Sequence, residues 1–180
     1  MREIHDIHGG IHPPERKSLS RPGELRDAPL PARLILPLRQ HLGAPAKVIV
    51  NVGDTVLGGQ VLAQAQGAVS VPVHAPTSGI ISAIEPRPIA HASGLEDTCI
   101  ILETDGADQS ILFEGIPDWQ TVAPSHLIER IREAGIAGMG GAGFPTAVKL
   151  NPGQTKPIDT LIINGTECEP YITADDTLMQ

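Results

Sequence analysis

The segment Gly135-Ile-Ala-Gly-Met-Gly-Gly-Ala-Gly-Phe-Pro-Thr-Ala-Val-Lys149 constrains this chain most, with glycine at 135, 138, 140, 141 and 143. Five glycines in nine residues leave a backbone nearly free of side-chain walls, able to reach positive φ cheaply and to approach a ligand closely. Pro145 suits a first helical position, where its missing N–H costs nothing. We therefore expect a helix to start over Pro145 to Leu150, with the glycine loop at its N-terminus. Free amides and the helix dipole there favour an anion, phosphate above all, and Lys149 adds a point charge one turn in. A plain linker or tight turn is the competing reading. Three features weigh against it: a helical pattern precedes the loop, a helix start follows it, and an apolar run with acidic residues comes next. No Gly-Lys-Ser/Thr follows the glycines, so the loop is not a Walker A motif. Gly138-x-Gly140-x-x-Gly143 has the letters of the dinucleotide fingerprint, but a helix rather than a strand leads into it.

Upstream, residues 1–33 are polar and punctuated by proline, and they are expected to form an arm around a partner or the chain's own barrel. His5, His8 and His12 lack a regular spacing or a completing ligand, which favours surface residues over a metal site. From Leu34 to Asp105 short β runs alternate with turns: 47–52, 56–57, 61–64, 68–73, 80–84 and 99–103. Val52-Gly-Asp-x-Val-x-x-Gly-Gln-x-Leu62 and Ala75-Pro-x-Ser-Gly-x-Ile together resemble the lipoyl or biotinyl domain, a flattened β sandwich of the barrel-sandwich type. A swinging arm needs a lysine at a hairpin tip, and no lysine occurs between Val48 and Val148. The carrier chemistry is therefore excluded, leaving a docking or scaffolding role for residues 34–105. Arg87, between two prolines, and His74 and His91 are read as turn or loop residues. Residues 106–123 read as a linker in which Trp119 is an anchor. Residues 124–180 follow as a third region, opening on a helix over 124–134 with Leu127, Ile128, Ile131 and Ala134 on one face and Gly135 as its stop. Asp159–Asn164 is apolar and β-branched, as a buried parallel strand would be. Strand ends in open α/β sheets gather ligands, which places Asn164, Glu167 and Glu169 beside the loop. Glu167, Glu169, Asp175 and Asp176 are also compatible with a magnesium site or a solvated acidic turn, and Cys168 between the glutamates is expected to be buried.

Composition narrows the partners. Four aromatics and a net charge of −8 argue against nucleic acid, which wants stacking platforms and a basic surface. No apolar run approaches the ~20 residues of a membrane-spanning helix, and the N-terminus has no apolar signal region. Cys99 and Cys168 can neither frame disulfides nor ligate a four-iron cluster.

Gly138-x-Gly-Gly-Ala-Gly-Phe-Pro-Thr-x-x-Lys149 resembles the flavin loop of the NADH-oxidising subunit of respiratory complex I. Together with Gly9-Gly-Ile-His-Pro-Pro-Glu-Arg-Lys17, Gln40-His-Leu-Gly-Ala-Pro-Ala-Lys47 and Ile163-Asn-Gly-Thr-Glu-Cys-Glu-Pro-Tyr-Ile-Thr-Ala-Asp-Asp176, it is more similar still to the C subunit of the Rnf/Rsx electron-transport complex. The resemblance implies an α+β chain: a lipoyl-like barrel-sandwich domain, then the start of a complex-I-type α/β flavin domain. It implies FMN and NADH as ligands, with Gly138, Gly140, Gly141, Gly143, Phe144 and Lys149 around the cofactor. Asn164 and Glu167 would neighbour the flavin and Glu169 the nicotinamide nucleotide, while Thr166 stands where complex I relatives carry aspartate. The implied activity is electron transfer between NADH and ferredoxin or iron–sulfur carriers, coupled to ion movement. The partners would be the other subunits of the Rnf/Rsx complex, at the cytoplasmic face of the bacterial inner membrane. The complete family protein has two 4Fe-4S clusters, whose cysteines are not in this sequence. This chain is accordingly expected to be a fragment or a truncated reading frame. A docking subunit without flavin, or a remnant without function, is the alternative.

Overall fold

The computed structural model describes residues 8–21, 23, 25–139, 143–151 and 158–179. It divides into two compact units, one of Met1–Ala28 with Ile158–Gln180 and one of Pro29–Pro157.

The second unit is built on a β sandwich. Its larger sheet has the order β1-β7-β6-β3, formed by β1 (Arg33–Pro37), β3 (Thr55–Val56), β6 (Gly79–Pro88) and β7 (Glu96–Thr104). The smaller has the order β2-β4-β5, from β2 (Lys47–Val48), β4 (Val61–Gln64) and β5 (Val73–His74). Every pairing is antiparallel, with Leu36 opposite Ile100 and Ile81 opposite Leu102. Alternation along these strands sends Leu36, Val56, Leu62, Val73, Ile81, Ile100 and Leu102 into one aliphatic core. Leu62, Ile81, Ile100 and Leu102 are fully enclosed, and each contributes about 1.5–3 kcal/mol by leaving water. The scarcity of aromatics is thus met by branched aliphatic side chains, which fit the narrow space between two sheets.

Several elements differ from the sequence-based expectation. Strand β1 lies before the first run recognised, and β6 continues to Pro88, so Arg87 is a strand residue rather than a loop residue. The prolines are tolerated because β3 flanks only the Gly79–Ile80 end of β6, leaving its far half paired with β7 alone. His74 belongs to β5, not to a turn. Part of the stretch read as a linker lies on the barrel: Gly58 donates to the Gln109 carbonyl at 2.9 Å, and Ile111 donates to that of Gly58 at 2.9 Å. Trp119 is 57% exposed and is not a core residue.

In the first unit the N-terminal segment meets the acidic C-terminal segment. Tyr171 N–H donates to the Glu15 carbonyl at 2.8 Å, and Arg21 stands 3.6 Å from Asp176. Asp159–Asn164 is not a strand. Leu161, Ile162 and Ile163 are 79%, 85% and 77% exposed. A parallel strand exists only beside other strands, and among the described residues this unit has none.

Candidate functional site

The helix that delivers the chain to the glycine loop is α1 (Pro124–Glu133), with proline in its first turn as the sequence suggests. It ends at Gly135, whose φ of 72° is the left-handed stop expected there. That glycine is held against β5, where an added Cβ would lie 2.9 Å from the Pro72 carbonyl and 3.1 Å from His74 Nδ1. Burial in this contact lowers the His74 pKa below its ordinary 6.5, partly offset by a hydrogen bond to the Glu133 carbonyl.

Beyond Gly135 the chain forms a narrow neck. Ala137 bridges Pro145, the Gly138 N–H donates to the Phe144 carbonyl at 2.8 Å, and the Thr146 N–H donates to that of Ile136 at 3.0 Å. Helix α2 (Thr146–Lys149) follows, so the predicted helix start exists as one turn. The tip of the loop, with Gly140 and Gly141, lies outside the described residues. Gly138, Phe144 and Lys149 are brought together at the neck. Lys149 Nζ stands 5.8 Å from the centre of the Phe144 ring, and a Cβ on Gly138 would lie 3.1 Å from that ammonium. Glycine at 138 therefore makes room for Lys149 rather than offering a bare amide, since its N–H is already engaged. Among the described residues no carboxylate pairs with Lys149. A lysine ammonium here has the charge and hydrogen-bond donors that a phosphate group requires.

Gly143 faces the barrel. Its φ is 61°, its carbonyl accepts the Leu42 N–H at 3.0 Å, and a Cβ there would come within 3.0 Å of the Gln40 carbonyl oxygen. The seat it rests on was not identified as such from sequence. His41, only 6% exposed, accepts the Val71 N–H through Nε2 at 3.1 Å and donates from Nδ1 to the Leu42 carbonyl at 2.9 Å. A neutral imidazole satisfies both roles at once. The motif beginning at Gln40 is thus the barrel's pedestal for the glycine loop. A groove of about 940 Å³ runs beside it, walled by Pro37, His41, Val71, Ile89, Gly138 and Met139 among others. The only sequence signal was a histidine inside a motif shared with the resembled family.

Asn164, Glu167 and Glu169 belong to the other unit. The Asn164 side-chain oxygen accepts both the N–H and the hydroxyl of Thr166, so threonine here closes a local turn. Glu167 has a φ of 51°, and its carboxylate accepts the Asp176 N–H at 2.9 Å at the start of α3 (Ala174–Met179). Glu169 enters through its carbonyl, which accepts from Lys17 Nζ at 3.2 Å. Cys168 is exposed, not buried, because the irregular segment around it has no sheet to cover it. Among the described residues no group of three or more His, Cys, Asp and Glu is arranged to hold a metal ion.

A family model described as the RnfC barrel sandwich hybrid domain matches residues 5–107. The chain belongs to the RnfC family. That match accounts for the two-sheet barrel without a carrier lysine. A second model, the Nuo51 FMN-binding domain, matches residues 131–180, from the end of α1 through the acidic segment. The fold is thus an RnfC barrel sandwich followed by a stretch that matches an FMN-binding domain. The chain is 55% identical over 98% of its length to the C subunit of an ion-translocating oxidoreductase complex from Serratia proteamaculans (strain 568), covering 25% of that protein. It is 52% identical over 99% of its length to the protein of the same name from Cronobacter sakazakii (strain ATCC BAA-894), covering 23% of it. It therefore spans about a quarter of the length of the curated relatives it matches. No helix among the described residues is long and apolar enough to cross a membrane.

Proposed function

We propose that this RnfC-family chain supplies the barrel and the opening of the flavin domain in the NADH-side electron-transfer subunit of a membrane-bound complex. That complex couples electron transfer between NADH and ferredoxin or iron–sulfur carriers to ion translocation. The observation that carries the reading is the Lys149 ammonium, without a carboxylate partner among the described residues, beside Gly138 and Phe144. It falls inside the stretch that matches an FMN-binding domain.

FMN, when bound, accepts a hydride and releases single electrons, chemistry no side chain here provides. The chain's own residues bind and orient. Lys149 neutralises the phosphate and Phe144 offers an aromatic face, while close backbone approach is assigned by resemblance to Gly140 and Gly141, Gly143 being turned to the barrel. By resemblance rather than by any contact, Asn164 and Glu167 neighbour the ribityl chain, and Glu169 the incoming NADH. The Gly138 amide is not assigned to phosphate, because Phe144 already occupies it. Two 4Fe-4S clusters belong to the complete family protein and take none of their ligands from this chain. The reading places the protein at the cytoplasmic face of the bacterial inner membrane, peripheral and held by partner subunits. The division into an arm over 1–33, a barrel over 34–105, a linker over 106–123 and a flavin region over 124–180 is part of the same proposal.

Anaerobic addition of NADH to the purified full-length protein should bleach a bound flavin, and replacing Gly141 with tryptophan should remove the signal. A full-length protein that carries no flavin, yet still joins its membrane partners through the barrel, would support the docking alternative instead.

A further inference from the structure

The flavin reading leaves Lys17 unused, although it is the last residue of the Gly9–Lys17 motif. It is half-buried, and its ammonium donates to three backbone carbonyls of one loop: Glu167 at 2.9 Å, Glu169 at 3.2 Å and Ile172 at 2.9 Å. An ammonium has three N–H donors, so this one is fully used by main chain, and no carboxylate among the described residues pairs with it. The carbonyls belong to a segment that bends twice through left-handed backbone at non-glycine residues, Glu167 at φ 51° and Tyr171 at φ 69°. Such conformations persist only where the surroundings over-determine them. Here the surroundings are the N-terminal segment. Besides Lys17, the Glu15 carbonyl accepts the Tyr171 N–H at 2.8 Å, and the Ser20 hydroxyl donates to the Tyr171 carbonyl. With the loop so held, Glu167 directs its carboxylate to the Asp176 N–H at 2.9 Å.

We propose that Lys17 is a positioning residue for the Glu167–Ile172 loop, an internal cation that gathers three carbonyls which no strand or helix satisfies. Lysine suits the task because a compact ammonium points its donors in three directions, whereas the planar guanidinium fork of arginine serves acceptors lying in one plane. Its consequence for the flavin, and only that, rests on the assignment of Asn164, Glu167 and Glu169 proposed above.

The test uses the full-length protein as wild type, Lys17→Met, Lys17→Arg and Arg21→Ala, with amide hydrogen exchange followed by mass spectrometry. Peptides spanning 165–177 should exchange about tenfold faster or more in Lys17→Met, while peptides over β7 stay as in wild type. Lys17→Arg should fall between, and Arg21→Ala, which removes only an exposed ion pair, should match wild type. Unchanged exchange over 165–177 in Lys17→Met, or an equal rise over β7, overturns the proposal. FMN affinity of the same variants separates the two readings. A loosened loop with weakened FMN binding supports both, whereas a loosened loop with unchanged FMN binding keeps the Lys17 role and refutes the flavin assignment of this segment.

Discussion

Substituting alanine at Gly143 separates the barrel's seat for the loop from the loop's ligand role. Alanine at a φ of 61° costs about 1–2 kcal/mol in the left-handed region. The new methyl would also stand 3.0 Å from the Gln40 carbonyl oxygen and 3.2 Å from His41 Cα, both backbone atoms. That backbone has little freedom to yield, because His41 ties it to Val71 and Leu42 ties it to Gly143 itself. Crowding of this kind adds about 1–2 kcal/mol, toward the low end of overpacking costs. The total of about 2–4 kcal/mol corresponds to a roughly thirtyfold to several-hundredfold loss of protection at about 1.4 kcal/mol per decade. The Leu42 amide reports it directly, since its partner is the Gly143 carbonyl. Gly138→Ala is the comparison. Its methyl meets the flexible end of Lys149 at 3.1 Å and the Phe144 carbonyl at an ordinary 3.7 Å, so Leu42 protection should change by less than about threefold, worth ~0.6 kcal/mol. Equal protection of Leu42 in the two variants by nuclear magnetic resonance hydrogen exchange would refute the pedestal argument.

Two further outcomes follow from the titrating groups. His74 has a lowered pKa in the fold, so the unfolded chain binds its proton more readily, and its contribution to stability is fully present above 6.5 and lost as pH falls from there through the lower folded pKa. The urea midpoint should therefore drop between about pH 8 and about pH 5, by a smaller amount in His74→Gln; identical drops would exclude this histidine as a source. Burial raises the Cys99 thiol pKa, with Asp97 adding to the effect, while Cys168 is exposed. A thiol reagent should accordingly modify one cysteine in the native chain and the second only on unfolding, and rapid modification of Cys99 would contradict the sealed core.

The barrel was legible because its signals are local. Alternating aliphatic residues and turn glycines mark β4 at the boundaries found, Val61–Gln64, and locate α1 with its Gly135 stop. Long-range effects were not legible. The length of β6 depends on pairing with β7, the end-to-end meeting of Lys17 with Glu167 spans 150 positions, and His41 acts by reaching Val71. Asp159–Asn164 misleads for the same reason: its β-branched composition states a preference that only neighbouring strands can fulfil. In the loop itself, counting glycines suggested a row of free amides. The structure instead gives the Gly138 N–H to Phe144 and the Gly143 side-chain space to the barrel, and sets the Lys149 ammonium beside Gly138 and Phe144.

The central claim is that this chain's Lys149 and its glycine cradle receive the phosphate of FMN. Titrating FMN into the full-length protein, with riboflavin as the phosphate-free comparison, tests it most directly. Wild type should prefer FMN over riboflavin, and Lys149→Met should lose about tenfold or more of that preference, as expected for removing a charge-assisted contact. A Lys149→Met protein that discriminates FMN from riboflavin as well as wild type does would contradict it.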